Sequence, residues 1–417
     1  MIAKLAWKNI WFKPLNTLLS IILLTSSVAI ITTLILVEKQ FEEQFSSNIE
    51  DVDLVLGAQG SPLQLILSSV YQVDAPTGNI NFDSAKVWMQ NPFVEKAIPL
   101  AFGDNYRGYK ILGTTTDYLE KYKATLAEGK LFEKNFEVVI GSEIAQKLNF
   151  KIGDEFFGSH GDAEEGEVHD EFAYKIVGIA KPTGKVVDNL ILCTIPSVWQ
   201  MHHGHDENPA HGEEGHVHVD GEEHHHEADL TLDEPNMEIT AVLLKLRNQM
   251  AKLTWQRIVP QNTKMQAVSP AFEVNRLFGL FGIGISALQY LAYGIMLISG
   301  ISIFIALYNT LKERKNEFAL MRVNGAKRVQ LLTVVMIESI LLCVVGFIFG
   351  TVLGRVAISL LSKSSEADFK MSFNPYEFLW EKEGTLFLLT IFVGFIAALI
   401  PAIKAYNLNI SKTLANA

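Results

Sequence analysis

Four long apolar runs, residues 15–37, 277–311, 329–354 and 384–403, constrain this 417-residue chain more than any other feature. Each can cross a hydrocarbon core of about 30 Å, which takes roughly 20 helical residues, and only Glu338 places a charge inside one of them. The first run follows Lys4, Lys8 and Lys13, as the core of a signal peptide would. Its 23 uncharged residues exceed the roughly 7–15 of such a core and no small-x-small cleavage site follows, so the sequence predicts a retained helix.

Lysine and arginine in the short flanks set the orientation. Residues 1–14 carry three, 309–328 carry six and the tail after Ile403 carries two, whereas 356–383 carry three against five acids. Both termini and 309–328 are therefore expected to be cytoplasmic. The predicted architecture is an α-helical membrane protein with an amphipathic N-terminus at 1–14 and transmembrane helices at 15–37, 277–308, 329–355 and 384–404. A large extracytoplasmic α+β domain at 38–276 is inserted between the first and second helices. A cytoplasmic segment at 309–328, an outer loop at 356–383 and a cytoplasmic tail at 405–417 complete it.

The hydrophobic fraction of 49% is ordinary for a globular protein, so the distribution of charge is more telling than the totals. Residues 38–275 hold 38 Asp and Glu against 19 Lys and Arg, while the remainder holds 8 against 16. An acidic middle between basic, apolar ends excludes a nucleic-acid binder, which needs a basic face, and a single soluble globule. Cys193 and Cys343 have no CxxC neighbour and make no disulfide framework.

Inside the middle region, 41–67 has helical apolar spacing with a break at 57–62. Short β-type runs at 109–112, 138–140, 174–179 and 189–192 alternate with turn signals. Residues 199–233 lack any apolar period. The pattern resumes at Ile239 and ends in a helical stretch near 250–258, which predicts an α+β domain with a smaller β subdomain near its middle.

Within the third apolar run, Gly346, Gly350 and Gly354 share one helix face, where a partner helix can approach closely; bundle packing and a dimer seam both fit. Glu338, about nine residues into the same helix, costs about 2.5–3.5 kcal/mol to insert and should face a polar partner or a cavity. A hydrogen bond to a neighbouring helix is favoured over a proton or ion path for one lone acid.

The segment from Asn309 to Ala326 combines Lys312, Glu313, Arg314, Lys315, Glu317 and Arg322 with an apolar patch of Phe318, Ala319 and Met321. A short helix on the membrane surface, ended by Gly325 and available to a partner, fits this composition. The run Arg314-x-x-Glu317-Phe318-Ala319-x-x-Arg322-x-x-Gly325-Ala326 resembles the junction signature of the FtsX/MacB-like ABC transporter permeases. Ala6-Trp7-Lys8-Asn9-Ile10 resembles that family's amphipathic start, and Pro401-Ala402-x-x-Ala405 with Ile410–Leu414 its closing segment. Residues 138–148, followed by Gly153-Asp154, and the run 241–246 resemble its outer domain.

The resemblance implies a permease subunit of the bacterial inner membrane with no ATPase activity of its own, and the chain has no Gly-x-x-x-x-Gly-Lys-Ser/Thr motif. It further implies a separate cytoplasmic ABC ATPase that holds the coupling helix in a groove. A second permease chain, identical or different, would complete the membrane part, and an extracytoplasmic binding protein is a further partner class. In this frame Arg314, Glu317 and Arg322 dock or brace, while Phe318 and Gly325 set the packing and the end of the helix.

All eleven histidines lie between His160 and His226, nine of them in the tract His202, His203, His205, His211, His216, His218, His224, His225 and His226. Nine acids from Asp206 to Asp229 are interleaved or adjacent. Imidazole and carboxylate together suit Zn²⁺, and also Cu²⁺ or Ni²⁺. A purification tag and a solvated loop of residues 200–229 without a role are the competing explanations. No His-Glu-x-x-His occurs, which argues against a catalytic zinc.

Three function classes follow: an ABC permease for export, extraction or zinc-linked homeostasis; a signalling or scaffold subunit that activates an extracytoplasmic partner such as a cell-wall hydrolase; and a membrane-anchored metallo-hydrolase. The missing catalytic motif disfavours the third. Only Gln289, Glu338 and Arg355 are polar candidates for lining a bundle, so mechanotransmission without a continuous aqueous pore is expected.

Overall fold

The computed structural model describes residues 14–159, 172–203, 230–368 and 373–409, without the side chains of 202–203 and 363–368. Two compact units emerge, one formed by residues 1–42 and 279–417 and the other by 43–278.

The described chain opens with α1 (Pro14–Ile49), a helix of 36 residues. The 43–278 unit continues with β1 (Leu54–Ala58), α2 (Pro62–Ser69), β2 (Ile80–Asn81) and α3 (Phe82–Met89). Side-chain caps fix the helix starts: Ser61 Oγ accepts from the Gln64 N–H and Asn81 Oδ1 from the Ser84 N–H, while Pro62 sits where a helix needs no donor. Next come β3 (Val94–Tyr106), β4 (Tyr109–Gly113), α4 (Asp117–Lys121), β5 (Leu126–Gly129), β6 (Glu137–Ile140) and α5 (Ser142–Leu148). The chain then runs through β7 (Glu155–Phe156), β8 (Tyr174–Ala180), β9 (Leu190–Cys193), α6 (Ile195–His203), β10 (Glu238–Ile239), β11 (Ala241–Leu246), α7 (Gln249–Asn262) and β12 (Met265–Val268).

Among the described residues the strands form one sheet in the order β12-β1-β11-β3-β4-β9-β6-β8-β5, with β7 added to β8, and a separate β2–β10 pair. β3 is long enough to serve two neighbourhoods. Its first half pairs with β11 (Leu100 opposite Ala241) and its second with β4 (Ala101 opposite Gly113), with an irregularity between Phe102 and Asn105. The described residues of 109–159 and 172–193 thus form an inserted β subdomain, whose β4–β9 and β6–β8 pairs are parallel. The β-type runs read from sequence coincide with β4, β6, β8 and β9.

The helical expectation across 41–67 fails at β1, which lies antiparallel between β11 and β12 with Leu54, Val55 and Leu56 fully buried. A strand buried on both faces reads as a continuous apolar run, which periodicity alone does not separate from a helix.

The remaining unit contains α8 (Pro270–Glu313, which begins in the preceding unit), α9 (Lys315–Val323), α10 (Arg328–Asp368) and α11 (Trp380–Tyr406). Among the described residues, α1, α8, α10 and α11 are the helices long and apolar enough to span a membrane. At about 1.5 Å per residue, the 44 residues of α8 extend roughly 66 Å, about twice a hydrocarbon core. The first charge beyond an apolar run marks where a helix leaves hydrocarbon, and backbone hydrogen bonding continues past it. Accordingly the loop expected at 356–383 is helical as far as Asp368 and again from Trp380.

The small residues of α10 face α1. A Cβ at Gly346 would lie 2.6 Å from Leu24, one at Gly350 2.6 Å from Val28, and one at Gly354 2.9 Å from the Ala29 carbonyl. Earlier along α10, Ser339 Oγ donates to the Gly394 carbonyl of α11 at 2.7 Å, and Cys343 occupies the space a side chain at Gly394 would need.

Candidate functional site

The segment joining α8 to α10 is built from three local events. Helix α8 ends as Arg314 leaves helical geometry (φ −94°, ψ 17°), its N–H still bonded to the Thr310 carbonyl at 3.0 Å. Arg314 then folds over the start of α9: its Nε and Nη2 donate to Glu317 Oε2 at 2.8 and 2.5 Å, and its guanidinium lies 5.9 Å from the Phe318 ring. An arginine engaged this way is oriented by a carboxylate and a ring at once, which favours a fixed geometry at this joint. At the far end Gly325 has φ +93°, the left-handed conformation of a helix terminus, and among the described residues no atom beyond its two chain neighbours lies within 4 Å of the position of a Cβ. The backbone angle, and not lack of space, therefore calls for glycine. The Ala326 N–H bonds to the Met321 carbonyl at 3.0 Å, and Arg322 Nη1 donates to the Ala326 carbonyl at 2.5 Å, closing the turn.

Orientation of the apolar residues differs from the sequence expectation. Phe318 (2% exposed) and Ala319 face inward, Phe318 joining the apolar cluster that contains Leu311, Leu331 and Ala402. Leu320 and Val323, 53% and 60% exposed, are the aliphatic side chains α9 leaves outward. Their i, i+3 spacing puts them on one stripe beside the half-exposed Glu317. Sequence reasoning passed over both, because a nine-residue helix is too short for periodicity to distinguish its inner stripe from its outer one.

Glu338 is buried within α10. His202 and His203 end α6, and His205, His211, His216, His218, His224, His225 and His226 lie outside the described residues, as do His160 and His169. Among the described residues no three metal-ligating side chains converge.

Two charged groups were not singled out as partners from sequence. Arg355 of α10 donates to both oxygens of Glu383 of α11 at 2.7 and 3.0 Å, with Glu383 1% exposed. In the 43–278 unit, buried Lys121 donates from Nζ to the Asn48 carbonyl in the last turn of α1 at 2.6 Å and lies 3.6 Å from the Tyr122 ring. Burial pushes its ammonium down to about 7, helped by Lys185 and opposed by Asp51 and Glu50.

Comparison with known proteins matches two family descriptions to the chain: the MacB-like periplasmic core domain over residues 15–219 and the FtsX-like permease C-terminal region over residues 290–410. Curated relatives include the macrolide export ATP-binding/permease protein MacB of Campylobacter jejuni, 28% identical over 114 residues that cover 27% of this chain and 17% of that protein. The protein of the same name from Agrobacterium fabrum is 28% identical over 120 residues, covering 29% of this chain and 18% of that one. The matched stretch therefore spans less than a fifth of these relatives. Solved structures with some likeness include the periplasmic region of MacB from Actinobacillus actinomycetemcomitans (TM-score 0.35, 8% identity, 55% of this chain and 95% of that one). The extracellular domain of the noncanonic ABC-type transporter YknZ from Gram-positive bacteria is another (TM-score 0.30, 12% identity, 52% and 99%). With one family description covering the first helix and much of the inserted domain, and the other the last three helices and α9, this membrane protein belongs to the FtsX/MacB-like ABC transporter permeases.

Proposed function

We propose that the chain is a non-catalytic permease subunit: a separate cytoplasmic ABC ATPase docks on α9, and its closure moves the membrane helices and, through α1 and α8, the 43–278 domain. The observation that carries this proposal is the outward stripe of Leu320 and Val323 on a helix whose start is held by Arg314–Glu317 and whose end is set by Gly325. An exposed aliphatic pair on a rigidly held helix suits insertion into a partner's groove. The matched relatives are named ATP-binding/permease proteins, and the 417 residues here carry no phosphate-binding loop motif; in the proposed complex the separate ATPase supplies the ATP-binding part. Basic flanks support placing α9 and both termini in the cytoplasm of a bacterial cell and the 43–278 domain outside; two permease chains per complex are proposed on the family resemblance.

The test is purification of the full chain from its native membrane. An ABC ATPase should co-purify, and Leu320→Asp/Val323→Asp should lower its recovery at least tenfold with the chain still inserted. Recovery of the wild-type chain with no ATPase contradicts the assignment.

The histidine tract supports a metal-linked role, export or homeostasis, in which His202–His226 collects Zn²⁺ outside the membrane. Zn²⁺ should bind the full chain more tightly than about 1 mM and weaken as pH falls through about 6.5, because protonated imidazole does not ligate. Unchanged affinity after removal of 202–226 would withdraw this role. The helices transmit motion and do not line an aqueous pore, so uptake of metal into vesicles holding only the permease and its ATPase would contradict that part.

A further inference from the structure

The segment 373–379, which leads into α11, is held from three helices by polar groups. From α1, Gln40 makes a two-point contact with the backbone of Asn374: its Nε2 donates to the carbonyl and its Oε1 accepts the N–H, both at 2.7 Å. From α10, Ser362 Oγ accepts the Phe373 N–H at 2.9 Å and Arg355 Nη2 donates to the Glu377 carbonyl at 3.3 Å. From α11, Glu383 accepts the Leu379 N–H at 3.4 Å while holding Arg355. Lys382 and Glu38 add a more exposed pair at 3.4 Å between α11 and α1.

Gln40 and Glu383 are buried, so these bonds are shielded from exchange with water, and the loss of one partner would leave a buried polar group unsatisfied. Farther along the same helices, the packed glycines of α10 seat α1 in close register, and Gly394 seats α11. The glycines of α8 contrast with these: among the described residues nothing outside the local helix backbone lies within 4 Å of a Cβ position at Gly279, Gly282, Gly284 or Gly294, whereas Gly300 is closed by Val393.

We infer that segment 373–379 is a clasp that makes α1, α10 and α11 one mechanical body. A displacement entering through α9 then reaches α1 only together with α10 and α11, and α1 moves separately only when the Gln40–Asn374 contact opens. The clasp is independent of whether an ATPase docks on α9.

Double electron–electron resonance on the full chain in nanodiscs reads the clasp directly. Labels at Glu42→Cys and Glu381→Cys report α1 against α11, and the native Cys193 and Cys343 are buried. A narrow distance distribution is expected. Gln40→Ala should broaden it at least twofold, and Gln40→Glu, which keeps the acceptor for the Asn374 N–H and loses the donor, should give an intermediate width. Thermal unfolding of both variants close to the parent's keeps the comparison within folded protein. A broad distribution in the parent, or an unchanged width in both variants, overturns the clasp.

Discussion

Single residues set the chemistry of the α8–α10 connection and of the inserted domain, and they were unequally legible. Gly325 could be read from its place after an amphipathic stretch, and its φ of +93° supplies the reason. The Arg314–Glu317 contact follows from i, i+3 spacing on a helix start. Arg355 stood out as a charge at the edge of an apolar run, but its partner Glu383 is 28 positions away and nothing local announced it. Lys121 was equally silent, since sequence does not tell a buried lysine from a solvated one. Its consequence is a pH dependence with a definite sign. The folded value is lowered from 10.5 to about 7, so between these limits the unfolded chain binds more protons and stability rises with pH. The slope is at most about 1.4 kcal/mol per pH unit, flat below 7 and again above 10.5. Lys121→Met should remove this rise and stabilise the protein at pH 7, as chemical denaturation of the full chain from pH 7 to 10 will measure; an equal rise in the variant would assign the slope to other groups.

Elements were legible where their pattern was long and monotonous. The four apolar runs located α1, α8, α10 and α11, and the helices run on past the ends of those runs, because charge marks the bilayer boundary and not the end of a helix. β1 was hidden by its own burial, whereas β4, β6, β8 and β9 were marked by flanking turns. The glycines of α10 were recognisable as a close-packing face, but their partner was not; Leu24, Val28 and Ala29 of α1 occupy it. Gly350→Leu should therefore separate α1 from α10. Overpacking of this kind costs about 1–3 kcal/mol and should lower the unfolding midpoint in detergent, with Gly284→Leu, at an open position of α8, as the neutral comparison. Equal effects at the two positions would mean that α10 tolerates side chains against α1.

At the scale of the whole molecule, the net charge of −11 separates into a basic-edged helical unit and an acidic inserted domain. α1 and α8 are the covalent connections between these units, each crossing from one to the other within a single helix. The transmission of motion proposed above would run through these two connectors. The account stands or falls on coupling through α9. Steady-state ATP hydrolysis should be measured in nanodiscs holding the chain alone, the chain with its co-purified ATPase, and the Leu320→Asp/Val323→Asp chain with the same ATPase. Hydrolysis is predicted to be absent from the chain alone, and the difference between the ATPase with and without the wild-type chain to fall at least tenfold in the double variant. Hydrolysis by the chain alone, or an undiminished difference in the variant, would contradict the account.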